Sequence, residues 1–166
     1  MTYFDIEVKI NLIVLEMPHV VVGAAIATKV VNPALALPLA LASHFILEKV
    51  PHWNPHLNTE TEKYGQPTSQ STKIVILDVT ASFISGGFIA YRALPNTNLA
   101  LTILAACFFA VLPDLLEGPY FFLKMRNETI KRWIKFQKSL QVDTDVLPGL
   151  ATQVVTILAA FWWILG

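Results

Sequence analysis

The sequence predicts an all-α integral membrane protein, built as a helical bundle with one basic amphipathic helix on the membrane surface. Two compositional observations point to this class: hydrophobic residues make up 54% of the 166 residues, and charged residues only 14%. A soluble domain usually has about 25% charged residues. The third observation is that the apolar residues gather in long runs. A chain this apolar is expected to fold rather than remain disordered.

Five apolar helices are predicted in one domain of residues 1–166, at about residues 10–31, 33–50, 73–94, 98–123 and 146–165. Crossing the hydrocarbon takes about 20 helical residues at ~1.5 Å of rise per residue. The last three segments meet this length and are predicted to span the membrane. The second is at the short limit, and the first carries Glu16 and His19 in its first half. Three spans are therefore required, and we predict that all five helices span the membrane.

The stretch from Lys124 to Lys138 is the most basic part of the chain, with six of the twelve lysines and arginines. Its apolar residues recur at roughly helical spacing over about residues 127–141, with cations between them. This pattern is typical of an amphipathic helix lying on anionic lipid headgroups. The alternative is a solvated helix that links two spans. The net charge is zero, so nucleic acid is not an expected partner.

The distribution of lysine and arginine predicts the orientation in the inner, cytoplasmic membrane. Basic loops remain in the cytoplasm, which places residues 124–142 there. With five spans, alternation then places the N-terminus in the cytoplasm and the C-terminus outside.

The same topology brings the acidic and histidine side chains of the apolar segments to a similar depth near the cytoplasmic face. Charged groups in a bilayer are costly and usually face the bundle interior at functional sites. The residues concerned are Glu16, His19, His44, Glu48, His52, Asp78, Asp114 and Glu117. We interpret this convergence as the main functional signal of the chain.

Histidines and carboxylates together form a nitrogen and oxygen ligand set suited to Zn²⁺, with Mn²⁺ or Fe as alternatives. His44 and Glu48 are spaced i, i+4 and project from one helical face. The predicted metal ligands are His19, His44, Glu48, His52, Asp78 and Asp114, with Glu16 and Glu117 as secondary candidates. Glu48 and Asp114 are the predicted catalytic groups.

Metal-free interpretations stand beside this prediction. Asp78 could cap its own helix, and Asp114, after Pro113, could cap a helix that restarts there. His52 and His56 lie in a Pro-His-Trp-Asn-Pro-His stretch, where turn and interface chemistry accounts for them.

Several of these residues resemble motifs of the membrane-bound metal-dependent hydrolases of bacteria, a family of small multi-span inner-membrane proteins. The resemblance is carried by His19 followed by Gly23, by the short second apolar helix, and by the Leu-Pro-Asp stretch ending at Asp114. The stretch from His44 through Glu48 to His52 is similar to a motif of zinc-dependent phospholipase C and single-strand nucleases. That similarity implies that His44 and Glu48 bind zinc, with His52 as a further ligand.

Three functions are therefore expected as alternatives. The first is a membrane-embedded metal-dependent hydrolase that acts on a phosphoester, such as a lipid headgroup, at the cytoplasmic face. The second is a non-catalytic membrane protein in which buried histidines and carboxylates form structural pairs. The third is a small transporter or proton relay built on the same groups.

Overall fold

The computed structural model describes residues 16–166, in which the regular secondary structure is helical apart from an isolated bridge between His52 and Asp143. Eight helices lie within this range: α1 Met17–Val30, α2 Pro33–Leu47, α3 Leu57–Tyr64, α4 Ser69–Arg92, α5 Thr97–Leu115, α6 Gly118–Phe122, α7 Glu128–Leu140 and α8 Val146–Leu165. The predicted all-α class is confirmed for this part of the chain.

Three of the described helices, α4, α5 and α8, are long and apolar enough to cross a membrane. Large apolar side chains on these helices point away from the bundle; Phe83 is 79% exposed and Trp162 82% exposed. Exposed apolar surface on this scale is typical of a lipid-facing helix. The prediction of a membrane protein with three spanning helices agrees with these features.

The prediction of five spanning helices is not confirmed. α1 has 14 residues and α2 has 15, so each is about 21–23 Å long at ~1.5 Å per residue. The hydrocarbon core is about 30 Å thick. Residues 10–15 of the first predicted segment lie outside the described residues. α2 ends at Leu47, three residues before the predicted boundary.

Several helix boundaries differ from the predicted ones for local reasons. α4 begins at Ser69 because the Thr68 hydroxyl accepts a hydrogen bond from the amide of Ser71 and caps the first turn. The fourth apolar segment does not continue to residue 123: α5 ends at Leu115, and a separate short helix, α6, follows. α3 lies in the polar stretch where no helix is predicted. α8 occupies the predicted range, and α7 lies within one residue of its predicted range.

α1 lies at the centre of the bundle, in contact with α2, α4, α5 and α8. Its buried residues are mostly small, and they face alanines on the neighbouring helices. Gly23 makes the closest approach: a Cβ atom there would lie 2.8 Å from the carbonyl oxygen of Ala106 and 2.8 Å from the Cβ of Ala110. Small residues allow helix backbones to approach closely, and this supports packing in a lipid environment.

We predict that Gly23→Ala destabilises the protein by about 1–3 kcal/mol, because the added methyl group forces α1 away from α5. Gly87→Ala is the matched control, since nothing lies within 4 Å of a Cβ at Gly87. This control is expected to be neutral or to stabilise helix α4 by about 0.5–1 kcal/mol. Thermal unfolding in detergent, followed by circular dichroism, measures both effects. Equal effects of the two variants would contradict the packing described here.

Candidate metal centre

The polar groups singled out in the sequence gather at one end of the bundle, where α1 and α4 begin and α2 and α5 end. His19 lies in the first turn of α1, His44 in the last turn of α2, and Asp114 in the last turn of α5. Glu48 follows directly after α2. The fold therefore brings together groups that are far apart in sequence.

His44 is fully buried, and its tautomer is fixed by the backbone of α5. Its Nδ1 atom lies 2.9 Å from the carbonyl oxygen of Ala110. A carbonyl group only accepts, so Nδ1 carries the proton and Nε2 presents its lone pair. Nε2 is buried without a hydrogen-bond partner among the described residues, and it lies 3.7 Å from Oδ1 of Asp114. This is the tautomer in which an imidazole binds a metal through Nε2.

His19 completes a group of three side chains with His44 and Asp114. The rings of His19 and His44 have centroids 4.4 Å apart. One ligand atom from each of the three residues lies within 4.8 Å of the other two. Two imidazoles and one carboxylate at this separation are a suitable start for a divalent-metal site.

Glu48 lies between two histidines on the wall of the same cluster. Its Oε1 atom is 3.5 Å from Nε2 of His19, and its Oε2 atom is 3.9 Å from Nε2 of His52. The carboxylate next to the His44 imidazole is that of Asp114, whereas the Glu48 carboxylate lies next to His19 and His52. The i, i+4 spacing of His44 and Glu48 did not predict that each of them pairs with residues other than the other one.

His52 is held by the segment that joins α7 to α8. Its amide donates to the carbonyl oxygen of Val142 at 3.1 Å, and its carbonyl oxygen accepts from the amide of Thr144 at 3.1 Å. The amide of Val142 donates to the carbonyl oxygen of Glu48 at 3.0 Å. The His52 ring donates from Nδ1 to Val50 at 2.7 Å, so its Nε2 lone pair faces Glu48 and the Gln141 amide.

Asp78 has a different position from the other predicted ligands. Its carboxylate accepts hydrogen bonds from the amides of Glu16 at 2.5 Å and Met17 at 3.4 Å, so it caps the start of α1. It does not cap its own helix, which begins nine residues earlier at Ser69. Asp78 is not one of the three residues grouped around His44. A carboxylate at a helix N-terminus is stabilised by the free amides and the helix dipole.

The secondary candidates Glu16 and Glu117 both lie near Asp114. The Glu16 carboxyl group is within interaction distance of the Asp114 carboxylate, and its Oε2 atom is buried. Gln137 of α7 donates to Oδ1 of Asp114 at 3.0 Å and to Oε1 of Glu117 at 3.2 Å. Burial, with the Asp114 charge as a second cause, raises the pKa of Glu117 from 4.5 to about 8.

These groups face a cavity of about 390 Å³. The site candidates on its wall are Glu16, His19, Glu48, His52, Asp78, Asp114 and Glu117. His44 lies behind His19 and is not part of the wall. His56, which is exposed, contributes to the rim but makes no contact with the three-residue group.

Two glutamines near the site were not predicted from the sequence. Gln137 orients two carboxylates, and Gln153 of α8, only 4% exposed, donates to the carbonyl oxygen of Trp53 at 3.0 Å. Gln153 also lines a second, water-sized cavity of about 20 Å³ beside His19 and His52. Gln153 could have been singled out because it is an amide side chain inside an otherwise apolar span, where a polar group needs a hydrogen-bond partner. Gln137 carried no comparable signal on a polar helix.

Comparisons of the chain with known protein families, with curated proteins and with solved structures find no match.

We predict that Glu117→Gln stabilises the metal-free protein at high pH only. The folded state holds the Glu117 proton more tightly than the unfolded chain, so wild-type stability falls as the pH rises from 4.5 towards about 8. The amide substitution removes this loss and raises the unfolding midpoint above about pH 8 by a few degrees, since about 1 kcal/mol corresponds to about 2–4 °C in a chain of this size.

The measurement is thermal unfolding in detergent and chelator across this pH range. Glu128→Gln is the control, because Glu128 is exposed and Lys131 lowers its pKa. It should give no gain as the pH rises. A constant gain for Glu117→Gln at every pH would disprove the assignment of the buried proton.

Proposed function

We propose that this chain is a membrane-embedded hydrolase that depends on a divalent metal, with zinc as the expected ion and Mn²⁺ or Fe as alternatives. The observation that carries the proposal is the buried Nε2 lone pair of His44. It lies beside Asp114 and His19, and these two residues line a cavity large enough for a small ligand, within the usual range of about 300–1,000 Å³.

The separation between two of the candidate ligands fits atoms around an ion better than a direct hydrogen bond. Nε2 of His44 and Oδ1 of Asp114 are 3.7 Å apart. Good hydrogen bonds to nitrogen are about 2.7–3.2 Å long. Two ligand atoms bound tetrahedrally to zinc at about 2.0–2.1 Å lie about 3.4 Å from each other. A cation would also offset the repulsion between the clustered carboxylates, which is costly in an apolar bundle.

His19, His44 and Asp114 would hold the metal, and three protein ligands leave one position for water or substrate. The bound cation would supply a Lewis acid and lower the pKa of the water beside it. Glu48 would accept a proton from the attacking water. The water oxygen would bond to phosphorus, the bond from phosphorus to the alcohol oxygen would break, and Glu48 would return the proton to the leaving alcohol.

The membrane position of the site is part of the proposal. α1 runs into the bundle and α2 runs back. The chain therefore returns to the side of the membrane from which it started, as it would after two spans. The basic face of α7 lies at the same end as the site, which the distribution of cations assigns to the cytoplasm of the inner membrane. Lys131, Arg132 and Lys135 on α7 would bind anionic headgroups there.

Metal binding to the purified, chelator-treated protein tests the proposal directly. We expect close to one equivalent of Zn²⁺ by elemental analysis, and His44→Ala should weaken its affinity by about 100-fold or more because a first ligand is lost. Asp114→Asn, at a partly exposed position, provides a second variant if His44→Ala folds poorly. His56→Ala is the matched control and should bind like wild type.

The proposal is wrong if the wild-type protein takes up no stoichiometric divalent metal and no such ion raises its unfolding temperature. Equal loss of affinity in His44→Ala and His56→Ala would also reject the assigned ligands.

Glu48→Gln separates metal binding from catalysis. Because Glu48 is assigned the proton transfer, this variant should retain the metal and lose phosphoesterase activity by about 10²–10⁴-fold. The assay uses bis-p-nitrophenyl phosphate and p-nitrophenyl phosphate with Zn²⁺ or Mn²⁺. Full activity of Glu48→Gln in both assays would rule out Glu48 as the base.

A second candidate function is purely structural, and the pairing of His44 with Asp114 favours it. If that pair only stabilises the bundle, each single alanine variant is destabilised and the double variant recovers part of the loss. In that case no metal-dependent stabilisation is seen. The proton-relay alternative has less support, because the described core beyond the site, towards Lys29, consists of alanine, valine, isoleucine and cysteine side chains.

A further inference from the structure

The cavity beside the proposed metal centre is lined by two kinds of side chain. The histidines and carboxylates described above form one set. The other set is apolar and comes from three helices: Val75 and Val79 of α4, Leu115 of α5, and Phe121 and Phe122 of α6. A single polar ligand would leave this apolar wall without a partner.

The apolar set is continuous with the outer surface of the bundle. Leu115 is 48% exposed and Phe122 is 42% exposed, although both line the cavity. On α4, Val75 and Val79 lie one turn apart and are half-buried. Their exposure is intermediate between that of the buried Asp78 and that of the exposed Ile76. α4 and α5 are two of the candidate membrane spans, so bilayer hydrocarbon would touch this side of the cavity.

We infer that the ligand of this cavity is a phospholipid that enters sideways from the bilayer, with its headgroup beside His19 and Asp114 and an acyl chain along Val75, Val79 and Phe122. The inference rests on the proposed function, because the metal centre supplies the contact for the phosphate. The cavity of about 390 Å³ accommodates a headgroup, and the chains extend past the apolar wall into the membrane.

The apolar part of the wall favours a lipid over a water-soluble phosphoester. Six carboxyl groups line the cavity together with Lys138 as the basic side chain among its described wall residues, so a phosphate from either source needs a bound cation. A soluble ester gains nothing from the apolar wall. An acyl chain buries that wall, and every methylene group placed there adds binding free energy.

Photocrosslinking tests the lipid inference without requiring turnover. The full chain in detergent micelles is mixed with a trace of phosphatidylethanolamine that carries a diazirine early in one acyl chain, with Zn²⁺ or with chelator. After irradiation, mass spectrometry locates the adducts. We expect adducts at Val75, Val79 and Phe122 that unlabelled phosphatidylethanolamine displaces.

Val79→Trp fills the apolar part of the cavity and should reduce the displaceable adducts by about tenfold. Phe83→Trp is the matched control, one turn further along α4 on the exposed surface, and should leave them unchanged. Leu115→Trp replaces Val79→Trp if that variant does not fold. Hydrolysis of phosphatidylethanolamine should fall in Val79→Trp and stay at the wild-type rate in Phe83→Trp.

The outcomes separate the lipid inference from the proposed function. Displaceable adducts at Val79 without any phosphoesterase activity would support the lipid site and reject the hydrolase. Metal-dependent hydrolysis of p-nitrophenyl phosphate, with adducts spread evenly over α4 and no effect of Val79→Trp on phospholipid hydrolysis, would support the hydrolase and overturn the lipid inference.

Discussion

The requirement that buried polar groups find partners inside an apolar bundle governs this structure. An ionisable side chain loses its hydration when it is buried, and only charge pairing, hydrogen bonding or a metal ion offsets the loss. At the site end, each histidine faces a carboxylate: His19 and His52 face Glu48, and His44 faces Asp114. The fold places its polar groups together because none of them could be buried alone.

The same part of α5 takes part in helix packing and in the site. Gly23 lets α1 approach Ala106 and Ala110 until no Cβ would fit between them. The carbonyl oxygen of Ala110 also accepts the Nδ1 proton of the buried His44 ring and sets its tautomer. In lipid, where apolar burial between helices gains little, such close contacts stabilise the bundle. A change in the packing of α1 therefore also moves a candidate ligand.

The sequence predicted the features that depend on local pattern, and it missed those that depend on long-range backbone contacts. The apolar run of α8 gave its bounds, because length and hydropathy decide where such a helix lies. The polar cluster was inferred from membrane topology. The partner of His44 was not, since i, i+4 spacing identifies a shared helical face but not which helix packs against it. Likewise, no local pattern marks the bridge between His52 and Asp143, which forms between segments far apart in the chain.

Helix α7 forms part of the site and is also the helix proposed to lie on the membrane surface. Ile134 of this helix packs on Tyr120 and Phe121, and the Trp133 indole donates to the carbonyl oxygen of Pro113 at 2.9 Å. One turn later, Gln137 orients the Asp114 carboxylate. The exposed side of the same helix carries the lysines that suit anionic headgroups. Because Gln137 of α7 holds the Asp114 carboxylate, the geometry of Asp114 depends on the position of α7, and under the proposed function binding of α7 to headgroups would therefore act on a candidate ligand.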